Sequence, residues 1–243
     1  FYPVFAELYG IEAEKIPLKS DFSINVQDYF GKNKMTVIAN PNAPTGLCLP
    51  LSDIESIVKN NPESVVVIDE AYIDFGGESC LPLINKYDNL LVVRTFSKSR
   101  SMAGARLGFA FGDEALISDL EKIKYSTNPY NINRITQAAG KAAFSENGYY
   151  EENCKKIIAT REKTARKLKD LGFEVLDSKA NFIFAKHKKI GGGEFYEKLK
   201  EKGVLIRHFS DPKISDFNRI TVGSDEEMEI FISKTKEILG GVL

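Results

Sequence analysis

Three short stretches of this 243-residue chain gather side chains that can do chemistry. Asp69-Glu70-Ala71-Tyr72 follows the apolar run 65–68, and a carboxylate at the mouth of a buried strand is costly unless a cation or donor faces it. The same aspartate would also serve as a helix N-cap. An apolar run ending in Asp-Glu further matches the magnesium-binding acid of a nucleoside triphosphatase, which needs a G-x-x-x-x-G-K-[ST] loop; the chain has none. Thr95-Phe96-Ser97-Lys98, with Arg106 eight residues after the lysine, supplies two hydroxyls, an amine and a guanidinium. These are the donors a phosphate monoester needs. A lone lysine is ordinarily solvated. Arg106, however, sits between the small and apolar stretches 102–105 and 107–111, where an unpaired cation would be costly, so an anionic ligand is its expected partner. The third stretch, Asn40-Pro41-Asn42-Ala43-Pro44-Thr45-Gly46, is a run of turn formers that can continue neither a strand nor a helix.

These stretches need elements that place them together. Each follows an apolar run: 35–39, 65–68 and 90–93. The last two are continuous and do not alternate, as expected of strands buried on both faces. Between the first two runs, Ser52 and Glu55 read as a capping box, and Ile54, Ile57 and Val58 as the buried face of a helix that Asn60-Asn61-Pro62 ends. Strand, helix, strand implies a parallel sheet covered by helices. Functional groups then collect beyond the carboxyl ends of its strands, at 40–46, 69–72 and 95–98.

The rhythm changes beyond about residue 145. A long polar amphipathic helix is expected over 149–171, ended by Gly172. Short strands follow at 173–176, 181–185, 204–207 and 219–222, with a helix over 195–202 that stops at Gly203. Gly191-Gly192-Gly193 reads as a turn before that helix, and Ser224 with Glu227 caps a last helix carrying Met228, Phe231, Ile232 and Ile238. The expected organisation is an α/β large domain over 1–145 and a small α+β domain with its interdomain helix over 146–243.

Composition sets the class. The net charge of −1, with 43% hydrophobic and 28% charged residues, is that of a globular protein, and it lacks the basic excess of a nucleic-acid footprint. No apolar run is long enough for a membrane span, and the sequence reads as lacking a secretory signal, so a cytoplasmic enzyme is expected. Cys48, Cys80 and Cys154 are odd in number and far apart, which argues for small buried side chains over a disulfide framework or zinc site. Two histidines, His187 and His208, cannot build a multi-histidine metal centre. The opening Phe1-Tyr2-Pro3-Val4, apolar and without methionine, suggests that an N-terminal portion is missing.

In their order and spacing, the turn 40–46, the segment 69–75 and the segment 94–108 resemble those of the fold-type I pyridoxal-phosphate aminotransferases, and the likeness continues through Asn128-Pro129-Tyr130-Asn131-Ile132-Asn133 and Arg219-Ile220-Thr221-Val222-Gly223. That resemblance implies a mostly parallel large domain, incomplete here, plus a small α+β domain, with pyridoxal 5'-phosphate as cofactor and a homodimer as the assembly. It makes Lys98 the residue that bonds the cofactor and moves the substrate proton, Asp69 the partner of the pyridine nitrogen, and Tyr72 the donor to the ring oxygen. Thr95, Ser97 and Arg106 would hold the cofactor phosphate, and Arg207 and Arg219 the anionic ends of substrates. Relatives commonly have asparagine at the position of Ala43, so Asn42 is the candidate replacement. The implied reaction is amino transfer between glutamate and imidazole-acetol phosphate in histidine biosynthesis. Amino transfer to aromatic amino acids and decarboxylation of a phosphorylated amino acid are the alternatives within the fold, and a noncatalytic nucleotide-binding module using Asp69 and Glu70 on magnesium is the alternative outside it.

Overall fold

The computed structural model describes residues 2–241; Phe1 and residues 242–243 lie outside them. A short helix, α1 (Tyr2–Leu8), leads by an extended segment to β1 (Thr36–Ala39), α2 (Leu51–Lys59), β2 (Val66–Asp69), β3 (Leu90–Thr95) and β4 (Gly108–Phe111). The four strands form one sheet in the order β1-β2-β3-β4. The first three run parallel, as their continuous apolar character requires, and Ile38, Val66, Ile68, Leu90 and Val92 pack with Ile54, Ile57 and Val58 of α2 in one core. β4 returns antiparallel to β3, so the sheet is mostly parallel.

α2 begins without the expected capping box. Pro50 takes the N-cap position in an extended conformation (φ −66, ψ 154), which moves Ser52 inside the helix, and no side chain caps its end. Glu55 instead binds Lys86 and accepts a hydrogen bond from Tyr87 Oη at 2.9 Å.

α3 (Glu114–Thr127) and α4 (Arg134–Ser145) then lead into the long helix α5 (Asn147–Asp170). Gly172, at φ +89, ends it as expected of a left-handed helix stop. A second sheet, in the order β5-β6-β8-β7, is antiparallel throughout: β5 (Phe173–Val175), β6 (Phe182–His187), β7 (Arg207–His208) and β8 (Asn218–Thr221). The strand expected over 204–207 shrinks to the pair at β7. α6 (Gly192–Glu201) starts within the triple glycine: a Cβ on Gly192 would stand 2.4 Å from the Ser215 carbonyl oxygen, so close backbone approach explains this glycine better than a flexible turn. α7 (Asp225–Gly240) carries the full Ser224–Glu227 capping box.

One face of the second sheet packs Ile183, Ala185 and Ile220 against Leu168 of α5 and Met228, Phe231 and Ile232 of α7. Alternation along a strand sends Phe182, Phe184 and Arg219 to the other face. Arg161 of α5, 3% exposed, ties the two sheets: its Nη1 donates to the carbonyls of Phe75 and Ala180, each at 2.8 Å. Cys80 and Cys154 are buried and Cys48 half-buried, all as free thiols. Burial pushes the Cys154 thiol up to about 11, which keeps it neutral and apolar in character.

Candidate active site

The carboxyl ends of β1, β2 and β3 lie side by side, because Ala39 pairs with Asp69 and Asp69 with Val93. The three chemistry-bearing stretches therefore emerge on one edge of the sheet, and hydrogen bonds from Asn40 N to Asp69 O and from Glu70 N to Val93 O, both 2.9 Å, continue the pairing into them. In the turn 40–46, Asn40 is buried and braces Leu49: its Oδ1 accepts from Leu49 N at 2.7 Å. Asn42 Oδ1 accepts from Thr45 Oγ1 at 2.9 Å.

Asp69 is half-buried. Its Oδ1 accepts from Ala71 N at 3.0 Å, a turn bond and not the helix cap that the sequence also allowed, since the next helical turn starts at Ile73 with Tyr72 at its N-cap; its Oδ2 receives the Tyr2 hydroxyl at 2.5 Å. Burial and the nearby carboxylate push that hydroxyl's pKa up, so it stays a donor. Glu70 points elsewhere. Its fully buried carboxylate accepts from Arg94 Nη2 (2.8 Å) and Nε (3.0 Å), from Ser79 Oγ, and from Cys80 N at 2.7 Å. A carboxylate so enclosed anchors the loop after β2 to β3 and is not available to a magnesium ion beside Asp69, which removes the nucleotide-module alternative. This Arg94–Glu70 pair escaped the sequence reading, since nothing local marks residues 24 positions apart as partners.

Lys98 is half-buried, its Nζ 5.2 Å from the centre of the Tyr72 ring, and among the described residues it has no ion-pair partner. The loop carrying it is fixed from below: buried Ser99 donates its hydroxyl to Asp74, and Met102 N donates to Phe96 O at 2.9 Å. Thr95 Oγ1 accepts from Ser97 N at 3.0 Å, so it shapes the same turn. Arg106 departs from expectation. It is exposed, in a left-handed conformation (φ 53), with its Nη1 on the Ala103 carbonyl at 3.0 Å. The small residues around it form a surface turn and not an apolar enclosure, so the cation remains hydrated.

The second sheet brings one of its two arginines, Arg219, toward the same place. Arg207 and Arg219 are directly opposed across antiparallel β7 and β8, hence on one face. Like charges so placed repel, yet among the described residues neither forms an ion pair, and Arg219 Nε is buried without an acceptor. The Arg219 guanidinium stands 5.2 Å over the Phe182 ring, and Phe182 meets Tyr72 edge to face at 5.1 Å. Lys98, Tyr72, Phe182 and Arg219 thus form a continuous path between the sheets. Phe182 was read only as part of a strand, because its neighbours Tyr72 and Arg219 are distant in the chain. Arg207 is exposed and stands over Phe209 at 5.6 Å.

A family model described as aminotransferase class I and II matches residues 1–234. The histidinol-phosphate aminotransferase of Brachyspira hyodysenteriae is 54% identical over 240 residues, which cover 98% of this chain and 68% of that protein. Among solved structures, the histidinol-phosphate aminotransferase of Clostridium acetobutylicum superposes with a TM-score of 0.92 at 25% identity, over 99% of this chain and 75% of that one. The enzyme of the same name from Sinorhizobium meliloti, solved in complex with pyridoxal-5'-phosphate, shares the fold with a TM-score of 0.86 at 24% identity, over 100% of this chain and 68% of that one.

Proposed function

The chain belongs to the class I and II aminotransferase family, and from that premise we propose that its protein is a homodimeric, cytoplasmic, pyridoxal-phosphate-dependent enzyme that moves an amino group between glutamate and imidazole-acetol phosphate in histidine biosynthesis. The observation that carries this reading is the path across the cleft: an amine at Lys98 and a guanidinium at Arg219, neither ion-paired among the described residues, joined through Tyr72 and Phe182. The substrate choice draws support from the relatives that bear the enzyme's name, and the cofactor from the family and the Sinorhizobium complex. Among the described residues no helix is long and apolar enough to cross a membrane. The reading divides the chain into part of a large cofactor-binding domain, 1–145, and an interdomain helix with a small α+β domain, 146–243.

The donor set fits the cofactor: one unpaired amine, one carboxylate at a strand end, hydroxyls on Tyr72, Thr95 and Ser97, and a buried Arg219 Nε that lacks an acceptor. When bound, pyridoxal phosphate supplies the electron sink that stabilises a carbanion at the substrate α-carbon. Asp69 Oδ2, which takes the Tyr2 hydroxyl in this structure, would be the acceptor that holds a proton at the ring nitrogen. Lys98 Nζ would hold the cofactor and serve as the base that moves the α-carbon proton, a role that requires an amine free of a carboxylate partner. Tyr72 would orient the ring through its oxygen, with Asn42 of the turn 40–46 as the candidate second donor. Ser97 and Thr95 would bind phosphate oxygens, and Arg106, exposed on its surface turn, would join them only by leaving the Ala103 carbonyl. Arg219 receives the carboxylate of glutamate in one half-reaction and the phosphate of histidinol phosphate in the other, and Arg207 adds a second guanidinium for the phosphate end.

The test is an amino-transfer assay with histidinol phosphate, phenylalanine and tyrosine side by side at fixed 2-oxoglutarate. The expected kcat/KM for histidinol phosphate exceeds that for either aromatic donor by about tenfold or more, the range a site built for an anion reaches against a donor lacking it. Equal efficiencies would refute the substrate and move the reading to an aromatic aminotransferase.

A further inference from the structure

Arg219 must keep its hydrogen-bond donors available and still occupy one position. A carboxylate partner would fix the guanidinium but would use the N–H fork that a substrate anion needs. The structure holds it otherwise. Arg219 lies opposite Phe184 in the β6–β8 register, so Phe182, two residues away on β6, is its diagonal neighbour on the same face. The guanidinium carbon stands 5.2 Å from the centre of the Phe182 ring, within the range in which the negative face of an aromatic ring attracts a cation. That attraction engages the charge and leaves the directional N–H donors unspent, in keeping with a buried Nε that has no acceptor.

The ring itself is held firmly. Phe182 is 2% exposed and meets Tyr72 at 5.1 Å with planes 83° apart. It begins its strand two residues after Ala180, whose carbonyl accepts from Arg161. One rigid aromatic plate therefore sets both the height of Arg219 and its distance from Tyr72 and Lys98.

We propose that Phe182 is a positioning residue for substrate anions: its ring face anchors the Arg219 guanidinium by a cation–π contact while its perpendicular contact with Tyr72 fixes the ring in place, which keeps the fork open to a carboxylate at a fixed distance from Lys98. The inference rests on the reading of Arg219 as the arginine that receives the substrate carboxylate.

The test replaces Phe182 in the cofactor-loaded protein by mono-, di- and trifluorinated phenylalanine, which weakens the ring's negative face with little change of shape. Binding of glutamate, and of succinate as a dicarboxylate without an amine, is measured by calorimetry alongside steady-state kinetics and Tm. Dissociation constants should rise stepwise with each fluorine, by about three- to tenfold at the trifluoro ring, the range of a partly desolvated cation–π contact. KM for glutamate should rise in parallel while kcat and Tm hold, because an interaction made equally in the ground and transition states acts on KM alone. The same trifluoro ring at Phe173, buried in the core behind the second sheet, should leave both constants unchanged. A flat response across the Phe182 series, with Arg219→Lys still weakening glutamate binding, would overturn the role of Phe182 and leave that of Arg219 standing. Unchanged glutamate binding in Arg219→Lys would overturn both.

Discussion

Gly46→Ala should be among the most damaging single-methyl changes in this chain. Gly46 closes the turn that carries Asn42, at φ +78, and a Cβ placed on it would stand 2.2 Å from Ser178 Oγ, 2.6 Å from Ser178 Cβ and 3.0 Å from Ser178 Cα. A rotamer change can withdraw the hydroxyl but not the other two atoms. The backbones are also tied here, with Lys179 N donating to Gly46 O at 2.8 Å, so relief by separation would break that bond. Left-handed geometry costs an alanine about 1–2 kcal/mol, and overpacking a tight contact costs about 1–3 kcal/mol more. The sum is about 2–5 kcal/mol, which for a chain of this size lowers Tm by roughly 5–15 °C at about 3 °C per kcal/mol. Scanning calorimetry of the parent, Gly46→Ala, Ser178→Gly and the double variant measures it. Ser178→Gly in the Gly46→Ala background should recover the steric part, a coupling of about 1–3 kcal/mol, and leave the left-handed cost. A Tm within about 2 °C of the parent for Gly46→Ala, or no recovery in the double variant, would refute the close-approach account.

Lys98→Ala should abolish multiple turnover and leave Tm at the parent value, since the lysine forms no ion pair among the described residues; sustained amino transfer by this variant would remove Lys98 from its role. Arg219→Lys should impair amination of the cofactor by glutamate and by histidinol phosphate alike, by about 1–3 kcal/mol in transition-state stabilisation, because a point charge replaces a fork. Arg207→Lys should weaken the phosphorylated donor more than glutamate in single-turnover measurements; equal losses would contradict its place at the phosphate end. Hydrogen bonds from Lys167 and then Lys163 hold the Glu229 carboxyl at about 2, below its ordinary 4.5. A carboxyl lowered by folding contributes stability that is present above its unfolded value and lost as pH falls toward the folded one. The Tm deficit of Glu229→Gln should accordingly be full above about pH 5 and shrink toward pH 2 in calorimetric scans, whereas a deficit independent of pH would rule out this charge effect.

Much of the scaffold was legible from local pattern. Buried parallel strands announce themselves by unbroken apolar runs at 65–68 and 90–93, the Ser224–Glu227 box lies within one helical turn, and Gly172 and Gly203 stop helices at positive φ, which β-carbon-bearing residues avoid. Because active groups in such sheets follow strand ends, the positions of Asn42, Asp69, Tyr72 and Lys98 on one edge could also be inferred. What the chain could not disclose locally is how a side chain finds partners contributed by distant segments. Ser52 and Glu55 have the spacing of a cap, but Pro50 starts the helix and Lys86 and Tyr87 claim the glutamate. Arg106 is flanked by apolar residues in sequence and by water in space, because the backbone there turns left-handed at the surface. Which of two adjacent acids is clamped by Arg94 and which remains at the strand mouth depends on alternation across three paired strands. The ring of Phe182 between Tyr72 and Arg219 depends on two sheets meeting. Secondary structure follows from near neighbours through hydrogen-bond geometry and burial period, whereas ion pairing, exposure and ring contacts are set by the tertiary packing that brings far segments within a few ångströms.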